Sequence, residues 1–184
     1  GVVTEMGGDV TGFAEGDPVL VALVWACGQC RPCLEGRDNV CVNQGGRMRP
    51  PPAPGLGPDG GMADYIVSKA RYLEPLGRLD PVTAGPLADA ALTPMHAING
   101  ARHRLGPDAT VVAIGIGGLG HMGLQILKAT TDARIIAVDS SPERLAAATH
   151  LGADVVLMLV AAPRVVEVVA AAVVDPKAKK KGKK

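Results

Sequence analysis

Thr110-Val-Val-Ala-Ile-Gly115-Ile-Gly-Gly-Leu-Gly120 is the stretch on which the fold of this 184-residue chain turns. A β-branched run, Thr110 to Ile114, feeds into G-x-G-x-x-G, and Leu119 to Ala129 then has helical spacing. Arg134 to Val138 reads as a second strand, and it runs into Asp139, 19 residues past Gly120. Each part has a task in holding a dinucleotide. The glycines let the chain turn tightly and bring its backbone against a pyrophosphate. The helix N-terminus offers free N–H groups and the positive end of its dipole. An acid at the end of the second strand accepts hydrogen bonds from ribose hydroxyls and repels a 2′-phosphate. Gly115, Gly117, Gly118, Leu119, Gly120 and Asp139 are therefore candidate cofactor-binding residues, with NAD favoured over NADP. A glycine-rich turn chosen for packing alone would not need the strand, helix, strand and acid around it.

Outward from this turn the alternation continues. Pro142 to His150 reads as a helix and Asp154 to Leu159 as a strand, so residues 109–174 are expected to form a parallel sheet with helical crossovers. Val and Ala dominate residues 160–174, which could be helix or strand, and 175–184 is a low-complexity, Lys-rich tail expected to be disordered. Upstream, residues 81–108 read as linker helices, with Asp80-Pro81 as N-cap and first-turn residue. Residues 1–80 alternate short β-prone runs, Pro18 to Trp25 and Ala63 to Ser68, with turn-formers, the pattern of a small irregular β domain. The Pro- and Gly-rich segment Arg47 to Gly61 is expected to be a long loop.

Composition removes several classes of function. With 47% apolar and 20% charged residues the chain is globular rather than disordered or fibrous. Six of its 19 Lys and Arg lie between Lys177 and Lys184, so the remaining 13 face 18 acids and the body is mildly acidic. That body gives no electrostatic reason to expect nucleic acid or an anionic membrane as partner. The four aromatics, Phe13, Trp25, Tyr65 and Tyr72, are too few for base-stacking platforms. The longest early apolar run, Val19 to Cys27, is too short to span a bilayer, and the start carries no signal-peptide pattern, so a cytoplasmic location is expected.

All four cysteines, Cys27, Cys30, Cys33 and Cys41, fall in the pattern C-x2-C-x2-C-x7-C. Four thiolates delivered by one tightly turning loop suit a single tetrahedral zinc. Two disulfides, in any of three pairings, are the bland alternative, disfavoured without a secretory signal. An iron–sulfur site is the sharper one, since the first three cysteines have ferredoxin spacing, but that motif continues x3-Cys-Pro and this sequence does not. Four sulfur ligands leave no open position, so such a zinc is structural.

Together these motifs resemble the zinc-dependent medium-chain alcohol dehydrogenases. Cys27-Gly-Gln-Cys-Arg-Pro-Cys-Leu-Glu-Gly-Arg-Asp-Asn-Val-Cys41 is similar to the structural-zinc lobe of that family, and the likeness extends over roughly Gly1 to Leu159. Other similar pieces are Gly16-Asp17-Pro18-Val19, Gly61-Met62-Ala63-Asp64-Tyr65 and Pro86-Leu87-Ala88-Asp89-Ala90. The resemblance implies an α/β chain: a partial GroES-like β domain over 1–80, then the first half of a Rossmann-type parallel sheet with flanking helices. It implies Asp89 as a catalytic-zinc ligand, Thr93 against the nicotinamide, and Arg144 at the adenosine ribose beside Asp139. It further implies hydride transfer between a small alcohol or carbonyl substrate and NAD, in a homo-oligomer.

The resemblance also departs in places. The family's other two catalytic-zinc ligands, a Cys and a His, would lie upstream of Gly1, and the likeness stops near Leu159, so the sequence reads as a family member truncated at both ends. Such a piece is expected to expose a strand edge and to associate or dissolve poorly. His96, His103, His121 and His150 read as helix-face or core histidines. The alternative function is a non-catalytic zinc- and NAD-binding module of the same ancestry.

Overall fold

The computed structural model describes residues 1–45, 48–160 and 172–174, the last three by backbone alone. They divide into two compact units, Gly1–Ala88 and Asp89–Lys184.

In the first unit, strand β1 (Val19–Val21) pairs antiparallel with β2 (Leu73–Pro75), Val19 opposite Pro75 and Val21 opposite Leu73. A short helix, α1 (Arg31–Leu34), starts after Cys30 with Pro32 in its first turn, where the missing N–H is no loss. The predicted strand Pro18 to Trp25 pairs with β2 over Val19–Val21, and Pro18 makes a single antiparallel bridge to Val2. Ala22 N–H still reaches the Tyr72 carbonyl (2.7 Å), but Trp25 N–H donates to Pro52 of the proline loop (2.9 Å), which draws the chain off the ladder. Ala63 to Ser68 joins no ladder among the described residues, and Tyr65 and Val67 are exposed. Strand propensity without a partner to complete the hydrogen bonds makes extended chain and no strand. The described part of the proline-rich segment is turns and bends, with one bridge between Ala53 and Leu56.

The second unit carries the sheet. Strands β3 (Thr110–Ile114), β4 (Arg134–Asp139) and β5 (Val155–Met158) run parallel, with Thr110 opposite Arg134 and Ile136 opposite Val155. Helices α3 (Gly118–Thr130) and α4 (Pro142–His150) make the crossovers. A strand that sequence left undecided, β6 (Ala172–Val174), lies antiparallel on the other side of β3, giving the order β5-β4-β3-β6. Leu124 of α3, Ile135 and Ala137 of β4 and Ala148 of α4 are fully buried and tie both helices to the sheet. Helix α2 (Leu92–Ala101) packs against α3, with Gly123 facing Pro94 so closely that a Cβ would stand 3.3 Å from the proline ring.

The helix boundaries reflect local chemistry. Ser141 caps α4 by accepting Arg144 N–H (3.2 Å), and Glu143 sits in the first turn, where the dipole favours it. Asp80 does accept the Thr83 N–H (2.9 Å), as a cap should, but only a turn and a 3-10 segment, Gly85–Ala88, separate it from the start of α2. Among the described residues no helix is long and apolar enough to cross a membrane. The Lys-rich stretch 175–184 and most of 160–174 lie outside the described residues.

Candidate functional site

Two constellations emerge, one in each unit. In the first, the turn at Gly28 (φ +75°) and helix α1 fold the cysteine segment back on itself, so that the four sulfurs lie within 4.8 Å of one another. The separations Cys30–Cys33, Cys30–Cys41 and Cys27–Cys33 are 3.3, 3.8 and 3.9 Å. Four sulfurs bonded at about 2.3 Å to one tetrahedral ion stand about 3.8 Å apart. A cluster of several iron and sulfide atoms would hold them further apart. The observed sulfur separations are well beyond a disulfide's roughly 2.05 Å, and none of the four cysteines is bridged, which speaks against the disulfide alternative. Cys27 N–H donates to Cys41 Sγ, and Cys30 N–H and Asn43 Nδ2 donate to Cys27 Sγ, at 3.3 to 3.4 Å. The Gln29 N–H also stabilises the Cys27 thiolate, whose pKa falls to about 6. The Cys33 N–H lowers Cys30, whereas burial, and after it the side chains of Cys30 and Asp38, push Cys33 up.

In the second unit, β3 delivers the chain into the glycine turn. Gly115 adopts φ +84°, a conformation that suits glycine, and Gly117 is the extended N-cap of α3. A Cβ at Gly120 would collide with the Gly115 carbonyl, so the third glycine is what lets helix and strand approach. The first backbone bond of the helix runs from His121 N–H to Gly117 O (2.8 Å). The N–H groups of Gly118, Leu119 and Gly120 therefore have no backbone acceptor among the described residues, and they form an anion cradle at the dipole's positive end. Asp139 closes the arrangement from the end of β4. It is 5% exposed, accepts Ile116 N–H at Oδ2 (2.6 Å) and Ser141 N–H at Oδ1 (2.9 Å), and has the Arg144 guanidinium 3.8 Å away. Burial pushes its carboxyl up, but the two N–H donors and Arg144 outweigh that and hold it below the usual range. An ionised carboxylate accepts about four hydrogen bonds, so capacity remains for a ligand's hydroxyls.

Asp89 and Thr93 sit at the entry to α2, both exposed, with Thr93 Oγ1–H donating weakly to Asp89 Oδ1 (3.5 Å). Among the described residues, the four cysteines form the sole group of three or more metal-binding side chains, and Asp89 is not in it.

Residues 1–78 match the family described as the alcohol dehydrogenase GroES-like domain. Beyond that domain the chain resembles NAD-dependent alcohol dehydrogenases over most of its length. It is 40% identical over 158 residues to an NAD-dependent alcohol dehydrogenase of Sulfolobus acidocaldarius, an alignment of 85% of this chain with 43% of that relative. It is 38% identical over 160 residues to a D-arabinose 1-dehydrogenase (NADP+) of Saccharolobus solfataricus, covering 85% of this chain and 44% of that one. The cobalt- and zinc-bound thermostable alcohol dehydrogenase of Pyrobaculum aerophilum superposes with a TM-score of 0.76 at 32% identity, over 86% of this chain and 46% of that chain. The chain thus spans less than half the length of these relatives.

Several neighbours of the cysteine loop escape sequence reasoning. Tyr72 O–H donates to the Ala26 carbonyl (2.9 Å) from a buried position, and its ring stacks on Trp25 at 5.1 Å between centroids. Arg71 lies over the same ring, 5.3 Å from its centroid, with its guanidinium against Gly28. Arg71 and Tyr72 lie 30 and 31 positions beyond Cys41, so spacing carries no signal; the one hint is a Trp and a Tyr in a chain nearly without aromatics.

Proposed function

We propose that the chain carries the structural-metal lobe and the dinucleotide-binding turn of an NAD-dependent alcohol dehydrogenase, which moves a hydride between an alcohol carbon and the nicotinamide. The observation that carries this reading is the glycine turn joined to Asp139: free N–H groups for a pyrophosphate and, at the end of the next strand, a buried carboxylate for ribose hydroxyls. Gly117, Gly118, Leu119 and Gly120 would hold the pyrophosphate, Asp139 the adenosine ribose, and Arg144 would reach the same ribose. NAD, when bound, is the hydride acceptor. Relatives at similar identity are named for both NAD and NADP, so their names do not choose between the cofactors. Asp139 favours NAD, because its buried negative charge opposes a 2′-phosphate.

The four cysteines would hold zinc, which fits their sulfur spacing and leaves no open position for substrate, so its role is to fix the loop. Thr93 would touch the nicotinamide and Asp89 would contribute to a catalytic metal. A non-catalytic module that binds zinc and NAD is the second reading. It is favoured by Asp89 joining no metal-binding group among the described residues. Small alcohols or carbonyls are the substrate class, in a cytoplasmic homo-oligomer.

Native mass spectrometry, together with NADH and NADPH titrations, tests the proposal. One zinc per chain and preferential NADH binding are expected, while absence of both would overturn it. NADH formation from primary or secondary alcohols separates the enzyme from the module.

A further inference from the structure

The zinc-type loop carries its own two arginines, Arg31 and Arg37, but both pair with Glu35, Arg31 through Nε at 2.8 Å. Their charge is thus spent on an acid at the loop's exposed rim. Four thiolates around a divalent cation leave a net charge of about −2, and an anion of that kind is held best with a cation nearby. Arg71 is placed to be that cation. It forms no ion pair among the described residues. Its guanidinium lies against the Cα of Gly28, where a Cβ would overlap it, in the turn just after Cys27. The ring of Tyr72 supports it from below, and Tyr72 itself is fixed by its bond to Ala26 and its stacking on Trp25. The conformation of Gly28 (φ +75°) and its missing side chain are both needed for this approach.

We infer that Arg71 is a positioning residue for the four-cysteine metal, clamping the Cys27-Gly28-Gln29 turn and supplying the positive charge that slows loss of the ion. This role rests on zinc occupying the four-cysteine loop. The two contributions separate experimentally. Packing is kept by an apolar side chain of similar length, whereas charge is kept only by a cation and is screened by salt.

The test uses the full chain loaded with one zinc, with release to a chromogenic chelator measured in wild type, Arg71→Lys and Arg71→Met. Release about 10-fold faster in Arg71→Met, restored at least in part by Arg71→Lys, is expected from the usual effect of removing a group behind metal ligands. The difference between Arg71→Met and wild type should shrink between low and high ionic strength. Equal release rates in wild type and Arg71→Met would overturn the inference. So would a difference that salt leaves untouched and lysine does not reduce, which marks a packing effect alone. Wild-type protein that binds no zinc would overturn the metal assignment itself, and with it the role of Arg71. Circular dichroism of each variant at the assay temperature confirms that the rates compare folded chains.

Discussion

Asp139 couples stability to cofactor chemistry in one side chain. Both its oxygens accept backbone N–H groups, from Ile116 in the glycine turn and Ser141 before α4, so it pins the two loops that border the cradle. In Asp139→Asn one of those N–H groups faces an amide donor. Urea unfolding at neutral pH should show a loss of about 1–3 kcal/mol, and NADH affinity should fall. Its pKa is depressed in the folded state, so the stabilisation is complete above the ordinary carboxylate range, near pH 4–5, and is lost as pH falls through the folded value. The acid limb of the stability profile should therefore be shallower in Asp139→Asn than in wild type. Tyr72 poses a simpler case: Tyr72→Phe leaves the buried Ala26 carbonyl without its donor, and should cost about 1–3 kcal/mol in the same assay. The sequence exposes Asp139 through its distance from Gly120, but nothing local marks Tyr72, whose partner lies 46 residues away.

At the level of elements, helix α3 is the piece on which the second unit depends. Leu124 is fully buried between α3 and the sheet, and Leu124→Ala should lower stability by about 2–5 kcal/mol in denaturant melts, the cost of an unfilled core cavity. Gly120 governs how the helix starts. In Gly120→Ala the new methyl meets the Gly115 carbonyl, so the turn must open; about 1–3 kcal/mol is lost, and NADH binding weakens as the free N–H groups are re-aimed. Strands β3 and β4 and helix α4 are legible in the sequence to within a residue, because apolar period, caps and turn glycines all agree there. Ala63 to Ser68 reads equally well as a strand and forms none, since its residues lack a partner that composition cannot supply.

Across the whole molecule, the single tryptophan gives a spectroscopic view of the metal lobe. Trp25 lies two positions before Cys27 and stacks on Tyr72, so stripping zinc with a chelator under reducing conditions should change its emission, and readding zinc should restore it. An unchanged spectrum would show that the aromatic pair does not sense the loop. The parallel α/β half, the acid beyond the glycine turn and the four-sulfur set are legible from residue order alone, because each is written in spacing along a continuous segment. Which strands find partners, the burial of Asp139 against the glycine turn, and the backing of the cysteine loop by Arg71 and Tyr72 emerge only in the folded chain. Those facts depend on contacts between residues far apart in the chain, and such contacts are fixed by packing and hydrogen-bond closure, which local pattern does not encode.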